Sequence, residues 1–211
     1  MPYKVLLVDD HDIVRAGLKR ILEESNEVLV VAEAKDGMEA VRQFELTKPD
    51  LVVIDISMPG MDGLSTVRHL TSIHPDARML VLTMHLEEHY AVRALRAGAL
   101  GYMTKDCSPS DLLDAIRKVA DGKTFISEDQ RDAVLLQLVG RQACSDEMHM
   151  LSDRELQILC SIARGKGVTD IAREVGLSSR TIETYRRNIL QKLSLEGNAG
   201  ICRYAFERHL L

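Results

Sequence analysis

The chain has 211 residues, of which 45% are apolar and 28% charged, an ordinary globular balance. No apolar run nears the roughly 18 to 20 residues of a membrane-spanning helix, so no membrane is expected as a partner. The net charge of −5 is unevenly spread: residues 1–125 hold 15 Lys and Arg against 20 Asp and Glu, residues 126–150 hold 2 against 5, and residues 151–211 hold 10 against 7. An acidic front and a basic tail predict two domains with different partners, the tail being suited to a polyanion.

The N-terminal run "MPYKVLLVDD" turns acidic at Asp9 and Asp10, where a signal peptide would end in small residues, so a cytoplasmic location is expected. Short apolar runs follow at Lys4–Val8, Val28–Ala32, Leu51–Ile54, Met79–Leu82 and Leu100–Met103. Most are rich in Val, Ile and Leu without alternation, the pattern of strands covered on both faces of a parallel sheet. Between them lie segments with helical spacing, such as Ile13, Leu18, Ile21 and Leu22, or Leu112, Leu113, Ile116 and Val119. Five strand–helix units predict an α/β fold, a doubly wound five-stranded parallel sheet.

Ligands of such a sheet bind beyond the carboxyl ends of the strands. Asp9 and Asp10 end the first strand, Asp55 the third and Thr83 the fourth, and Lys105 follows the fifth. In "LVVIDISMPGMDG", four apolar residues build core before Asp55 reaches the rim, and Pro59, Gly60 and Gly63 bend the next loop clear of it. Three converging carboxylates repel and call for a cation. Oxygen donors favour a hard ion, Mg2+ first, which keeps open positions for phosphate oxygens. With the Lys105 charge and the Thr83 hydroxyl, the rim becomes a seat for a phosphoryl group, and Asp55 is the carboxylate placed to accept it as an acyl phosphate.

"VLLVDDHDIVRAGL", "DLVVIDISMPGMDG", "MLVLTMH" and "GALGYMTKD" resemble the receiver domain of two-component response regulators, over about residues 3–120. The resemblance implies a flavodoxin-like receiver at residues 1–122 and phosphorylation of Asp55 by a histidine kinase. It implies Mg2+ on Asp10, Asp55 and the Ser57 backbone carbonyl, with Asp9 assisting through water. Thr83 and Lys105 would hold the phosphoryl oxygens. Tyr102 stands at the aromatic switch position, whose ring turns inward when Thr83 moves toward the phosphate. Two positions depart from the commonest receiver pattern: Met84, where a small residue is frequent, would restrict the site, and Asp106 follows Lys105 where proline is frequent. Ser57 and His85 stand where they could tune hydrolysis of the acyl phosphate. Phosphatases with an aspartyl intermediate usually carry a second Asp two residues past the nucleophile. That position is Ser57, so turnover of an external substrate is not expected and the protein is not read as an enzyme.

Residues 123–149 read as a linker, partly helical around Ala133–Val139. Cys107, Cys144, Cys160 and Cys202 are far apart and form no CxxC pair, so free thiols rather than a zinc cluster are expected. From residue 150 onward the pattern is helical only. Ser152 and Glu155 form a capping box ahead of Leu156, Ile158, Leu159 and Ile162. "VTDIAREVGLSSRTIETYRRNILQKL" then reads as two helices about a turn at Gly176, the first packing Ile171, Ala172 and Val175. On the second, capped by Ser178 or Ser179, Ile182, Ile189, Leu190 and Leu193 face inward, leaving Glu183, Thr184, Arg186, Arg187, Asn188 and Lys192 mainly outward. A helix–turn–helix lays its second helix in the major groove of double-stranded DNA.

The segment from Leu151 also resembles the all-α four-helix DNA-binding domain of the LuxR/NarL type, at residues 150–211. That resemblance implies Glu183, Thr184 and Arg187 as base readers and Thr181, Tyr185, Arg186 and Lys192 as phosphate contacts. It also implies a homodimer on phosphorylation, with release of a hidden recognition helix. The whole chain is identified as a NarL/FixJ-type response regulator, a phosphorylation-controlled DNA-binding regulator. The alternative is a DNA-binding regulator with a degenerate receiver that needs no phosphorylation.

Overall fold

The computed structural model describes residues 1–84, 88–127, 131, 134, 151–208 and 210. The chain divides into two compact units, Met1–Val139 and Gly140–Leu211.

In the first unit the strands are β1 Tyr3–Val8, β2 Val28–Ala34, β3 Leu51–Ile54, β4 Met79–Thr83, β5 Gly101–Thr104 and β6 Phe125–Ile126. They form one parallel sheet in the order β2-β1-β3-β4-β5-β6. The helices between them are α1 Asp12–Glu24, α2 Gly37–Thr47, α3 Gly63–Ile73, α4 Glu88–Ala97 and α5 Pro109–Ala120. This is the doubly wound fold, with six strands in place of the expected five. The extra strand pairs Phe125 with Gly101 and Ile126 with Tyr102, inside the segment expected to be linker. Two residues are too few for a periodicity to be read; backbone pairing at the β5 edge makes them a strand.

β1, β3, β4 and β5 hold the core as their apolar runs predict, with Val5, Leu6, Leu51, Val52, Ile54, Leu80 and Val81 at 0% exposure. Burying each such side chain contributes about 1.5–3 kcal/mol. β2 is the outer strand on its side and is only partly covered, with Leu29 45% exposed. On α1, Leu22 is buried and Leu18 packs against the core, but Ile13 is 89% and Ile21 37% exposed. Residues 13 and 22 are nine apart; at 3.6 residues per turn they lie on opposite sides of the helix, so the four could not share one buried stripe. α5 is the better stripe, with Leu112, Ile116 and Val119 buried behind an N-cap at Ser108 and a proline in its first turn.

The second unit is all helical among the described residues: α6 Asp153–Ala163, α7 Val168–Glu174, α8 Ser179–Lys192 and α9 Gly197–Glu207. The capping box forms in full, Glu155 N donating to Ser152 Oγ at 3.2 Å and Ser152 N to Glu155 Oε2 at 2.8 Å. Beyond the Val175 C-cap of α7, Gly176 has a φ of +66°, which suits glycine, while Leu177 N reaches back to Ala172 O at 2.9 Å. Ser178, not Ser179, caps α8, accepting from Thr181 N. Ile182 and Ile189 are fully buried, and Leu190 and Leu193 half-buried. Of the cysteines, Cys107, Cys160 and Cys202 carry thiols outside any disulfide; Cys144, and all but Val134 of the helix expected around Ala133–Val139, lie outside the described residues. No helix among the described residues is long and apolar enough to cross a membrane.

Candidate functional site

The main chain carries each acidic residue to the same edge of the sheet. Asp55 N donates to Val8 O at 2.9 Å, and Asp9 N to Ala34 O at 3.0 Å, so the ends of β1, β2 and β3 are in register where the carboxylates emerge. Asp9 is 2%, Asp55 4% and Thr83 0% exposed. Lys105 enters from the end of β5, tied by its backbone N to Thr83 O at 2.8 Å. Its Nζ bridges Asp9 Oδ2 at 2.7 Å and Asp55 Oδ2 at 2.8 Å. Burial works to lower the Lys105 pKa, but the two carboxylates more than offset it and the net shift is upward. The other carboxylate oxygens are held by backbone donors: Ile56 N lies 2.7 Å from Asp55 Oδ1, and His11 N 2.8 Å from Asp9 Oδ1.

Asp10 is the member with least support. Its Oδ1 is buried and makes no well-formed hydrogen bond, although His11 Nδ1 approaches to 2.8 Å. Burial raises the Asp10 pKa, His11 lowers it, and Asp55 and Asp9 raise it further, for a net rise. One ligand atom from each of Asp9, Asp10, His11 and Asp55 lies within 4.8 Å of the others. An orphaned carboxylate oxygen among other carboxylates fits a hard divalent cation, which would satisfy that oxygen and offset the repulsion.

The loop after Asp55 is tighter than turn residues alone suggest. Gly60 has a φ of +73°, but Gly63 is required for a different reason: a Cβ there would lie 2.0 Å from the Asp55 carbonyl oxygen. The first residue of α3 thus rests directly on the Asp55 peptide, while Asp62 caps the helix by accepting from Ser65 N. Ser57 is half-buried in this loop. The Tyr102 ring is fully buried, and Met84 is 71% exposed, so most of its side chain stands in solvent. His85 lies outside the described residues. The sequence marks His11 only as the neighbour of the acidic pair, and does not show the contact from the Thr104 hydroxyl to Asp106 across the Lys105 turn.

On α8 of the second unit, Glu183, Thr184 and Arg187 are exposed on one face. Arg186 is occupied within the unit: Nε donates to Asn198 Oδ1 at 2.7 Å and Nη1 to Glu183 Oε2 at 3.1 Å. Thr181 shares a 2.7 Å hydroxyl contact with Ser178, Thr184 Oγ1 donates to Arg180 O, and Tyr185 is half-buried. Lys192, expected to face phosphate, places Nζ 2.7 Å from Glu155 Oε2, a carboxylate 4% exposed. The pair ties the end of α8 to the capping box of α6. Helical spacing puts Lys192 outward but cannot show a partner 37 residues away.

Residues 5–117 match the family described as response regulator receiver domain, and residues 149–205 match the luxR family of bacterial regulatory proteins. The response regulator UvrY of Escherichia coli K12 is 35% identical over 206 residues, 98% of this chain and 94% of that protein. A two-component response regulator of the LuxR family from Aurantimonas aligns with a TM-score of 0.62 at 39% identity, covering 66% of this chain and 99% of that one. A structure of the response regulator RcsB in complex with DNA aligns with a TM-score of 0.60 at 26% identity, covering 97% and 98%.

Proposed function

Because the chain belongs to the NarL/FixJ family of response regulators, a receiver domain joined to a luxR-type DNA-binding domain, we propose that a phosphoryl group on Asp55 controls its binding to DNA. The observation that carries this reading is the Lys105 ammonium between Asp9 and Asp55, at 2.7 and 2.8 Å. It leaves a buried carboxylate nucleophile with a positive charge already beside it. The donor is a phosphohistidine of a sensor kinase. An Asp55 oxygen attacks phosphorus, the phosphorus–nitrogen bond breaks, and the imidazole leaves with the electron pair. Lys105 then follows the new phosphoryl oxygens, and the Thr83 hydroxyl donates to another. Asp10, Asp55 and the Ser57 carbonyl would hold Mg2+, with Asp9 acting through water; when bound, the ion supplies positive charge to the phosphoryl oxygens. The buried Tyr102 ring is the switch element, coupled to Thr83 through the pairing of β4 and β5.

The receiver spans residues 1–122 in this reading, with β6 extending its sheet to Ile126; the linker follows to residue 149 and the DNA-binding domain covers 150–211. On DNA, Glu183, Thr184 and Arg187 read base edges, Arg187 suiting guanine and Glu183 cytosine. Thr181, Tyr185 and Arg186 contact phosphates, and Lys192 joins them where it can leave Glu155. The phosphorylated chain binds as a homodimer in the cytoplasm, as a regulator without turnover of an external substrate.

Incubation of wild type and Asp55→Asn with acetyl phosphate and Mg2+ tests the core of this reading. The wild type is expected to gain one alkali-labile phosphoryl group by intact mass, and the variant none. Equal labelling of both would overturn the assignment.

A further inference from the structure

The turn between β1 and α1 carries Asp9 and Asp10, and the group that holds this turn lies behind it. Arg15, in α1, folds back so that Nη1 donates to the Asp9 carbonyl at 2.6 Å. The same guanidinium donates from Nε to Glu33 Oε2 at 3.2 Å and from Nη2 to Asp12 Oδ1 at 2.5 Å. Lys19 takes the second Glu33 oxygen at 2.9 Å. The Arg15 side chain is only 15% exposed, and it lines one small cavity together with Asp9 and Asp55.

We propose that Arg15 is a positioning residue for the acidic rim: anchored on Glu33 of β2, it fixes the peptide between Asp9 and Asp10 and so sets the angle at which their carboxylates meet a divalent cation. The peptide unit is planar, so holding the Asp9 oxygen also fixes the Asp10 nitrogen and Cα. Asp9 is thereby held at both ends from β2, through Ala34 O on its own N and through Glu33 and Arg15 on its O. Asp10 Oδ1 makes no well-formed hydrogen bond and is approached by the ring of the adjacent His11 at 2.8 Å, so the aim of that carboxylate depends on the backbone of this turn. The inference rests on the reading that this rim binds Mg2+.

Charge and geometry predict opposite signs. Arg15 is a positive charge beside the carboxylates, so its removal by charge alone would tighten cation binding. Loss of a positioning contact weakens it, by roughly tenfold or more for partners that orient metal ligands. The test is Mg2+ titration calorimetry on the full chain, with the melting temperature of each metal-free protein as a check on folding. Arg15→Gln is expected to weaken Mg2+ binding about tenfold and Glu33→Ala several-fold. The double variant should bind no more weakly than Arg15→Gln, because both act through one line of contacts. Equal or tighter binding by Arg15→Gln, with wild type binding normally, would overturn this inference alone. Wild type that bound no Mg2+ would overturn the metal reading and this inference with it. Should Arg15→Gln not fold, Glu33→Ala decides: an unmoved Asp10 amide resonance and unchanged affinity would overturn the proposal.

Discussion

A carboxylate at the end of a buried strand destabilises the fold unless something shares its charge. Asp9 and Asp55 share Lys105; Asp10 has the His11 ring at 2.8 Å and, among the described residues, no comparable cation. Its pKa is raised, chiefly by burial, with Asp55 and Asp9 adding to the rise against His11. The sign follows from linkage: an acid with a raised folded pKa is most favourable to the fold when protonated, and that advantage is lost as pH rises from the unfolded toward the folded pKa. Above that window the ionised Asp10 works against the metal-free fold. Asp10→Asn is expected to raise the metal-free melting temperature by a few degrees. It should also abolish the Mg2+-dependent rise, which for wild type corresponds to about 2.7 kcal/mol at a hundredfold excess over Kd. Thermal denaturation with and without Mg2+ reads both effects. A variant that melted lower without metal and still gained from Mg2+ would place the ion elsewhere.

At the scale of the element, α8 has an exposed working face and an anchored end. Residues 183, 184 and 187 are neighbours by helical spacing. Lys192 lies further along, paired with the buried Glu155 that also accepts from Ser152 N. Lys192→Ala would leave Glu155 without its cation. Between the value of an exposed pair and the loss on breaking a buried one, about 1–2 kcal/mol of stability is expected, since Lys192 is itself 41% exposed. Among the described residues Arg187 has no such partner, and Arg187→Ala should leave stability unchanged. It should cost about 1–3 kcal/mol on the cognate site and relax preference at one base pair per half-site. Thermal melts together with binding to a library of single-base variants separate the two. Uniform weakening across the library by Arg187→Ala would make Arg187 a phosphate contact.

At the scale of the whole molecule, the charge asymmetry marks two tasks, with +3 on residues 151–211 and −5 on residues 1–125. Counterion release makes binding by a basic domain salt-dependent. Two domains linked on two half-sites bind more tightly than either alone, since the second contact is intramolecular. Wild type treated with beryllium fluoride and Mg2+ is therefore expected to sediment as a dimer and to bind its DNA roughly tenfold more tightly, a coupling of ordinary size. Asp55→Asn should remain at its untreated mass and affinity. A wild type that dimerised or bound no better after treatment would favour a regulator independent of phosphorylation.

Short unbroken apolar runs ending in Asp9, Asp55 and Thr83 were enough to read the parallel sheet and the edge where the carboxylates emerge, because a strand covered on both faces is built of consecutive apolar residues. Ser152, Gly176 and Ser178 announced the helical domain through local chemistry that acts within a few residues. What needed the tertiary structure was contact between distant residues. The two-residue β6 exists only because β5 offers an edge, and Ile13 is exposed because α1 turns it away from Leu22. Gly63 is there so that a helix can rest on the Asp55 peptide. In the sequence Lys192 reads as a phosphate contact and nothing marks Arg15; their pairing with Glu155 and Glu33 is visible only in the fold. Local propensity and periodicity are properties of neighbours in the chain; a charge's partner is a property of space, and only folding brings it near.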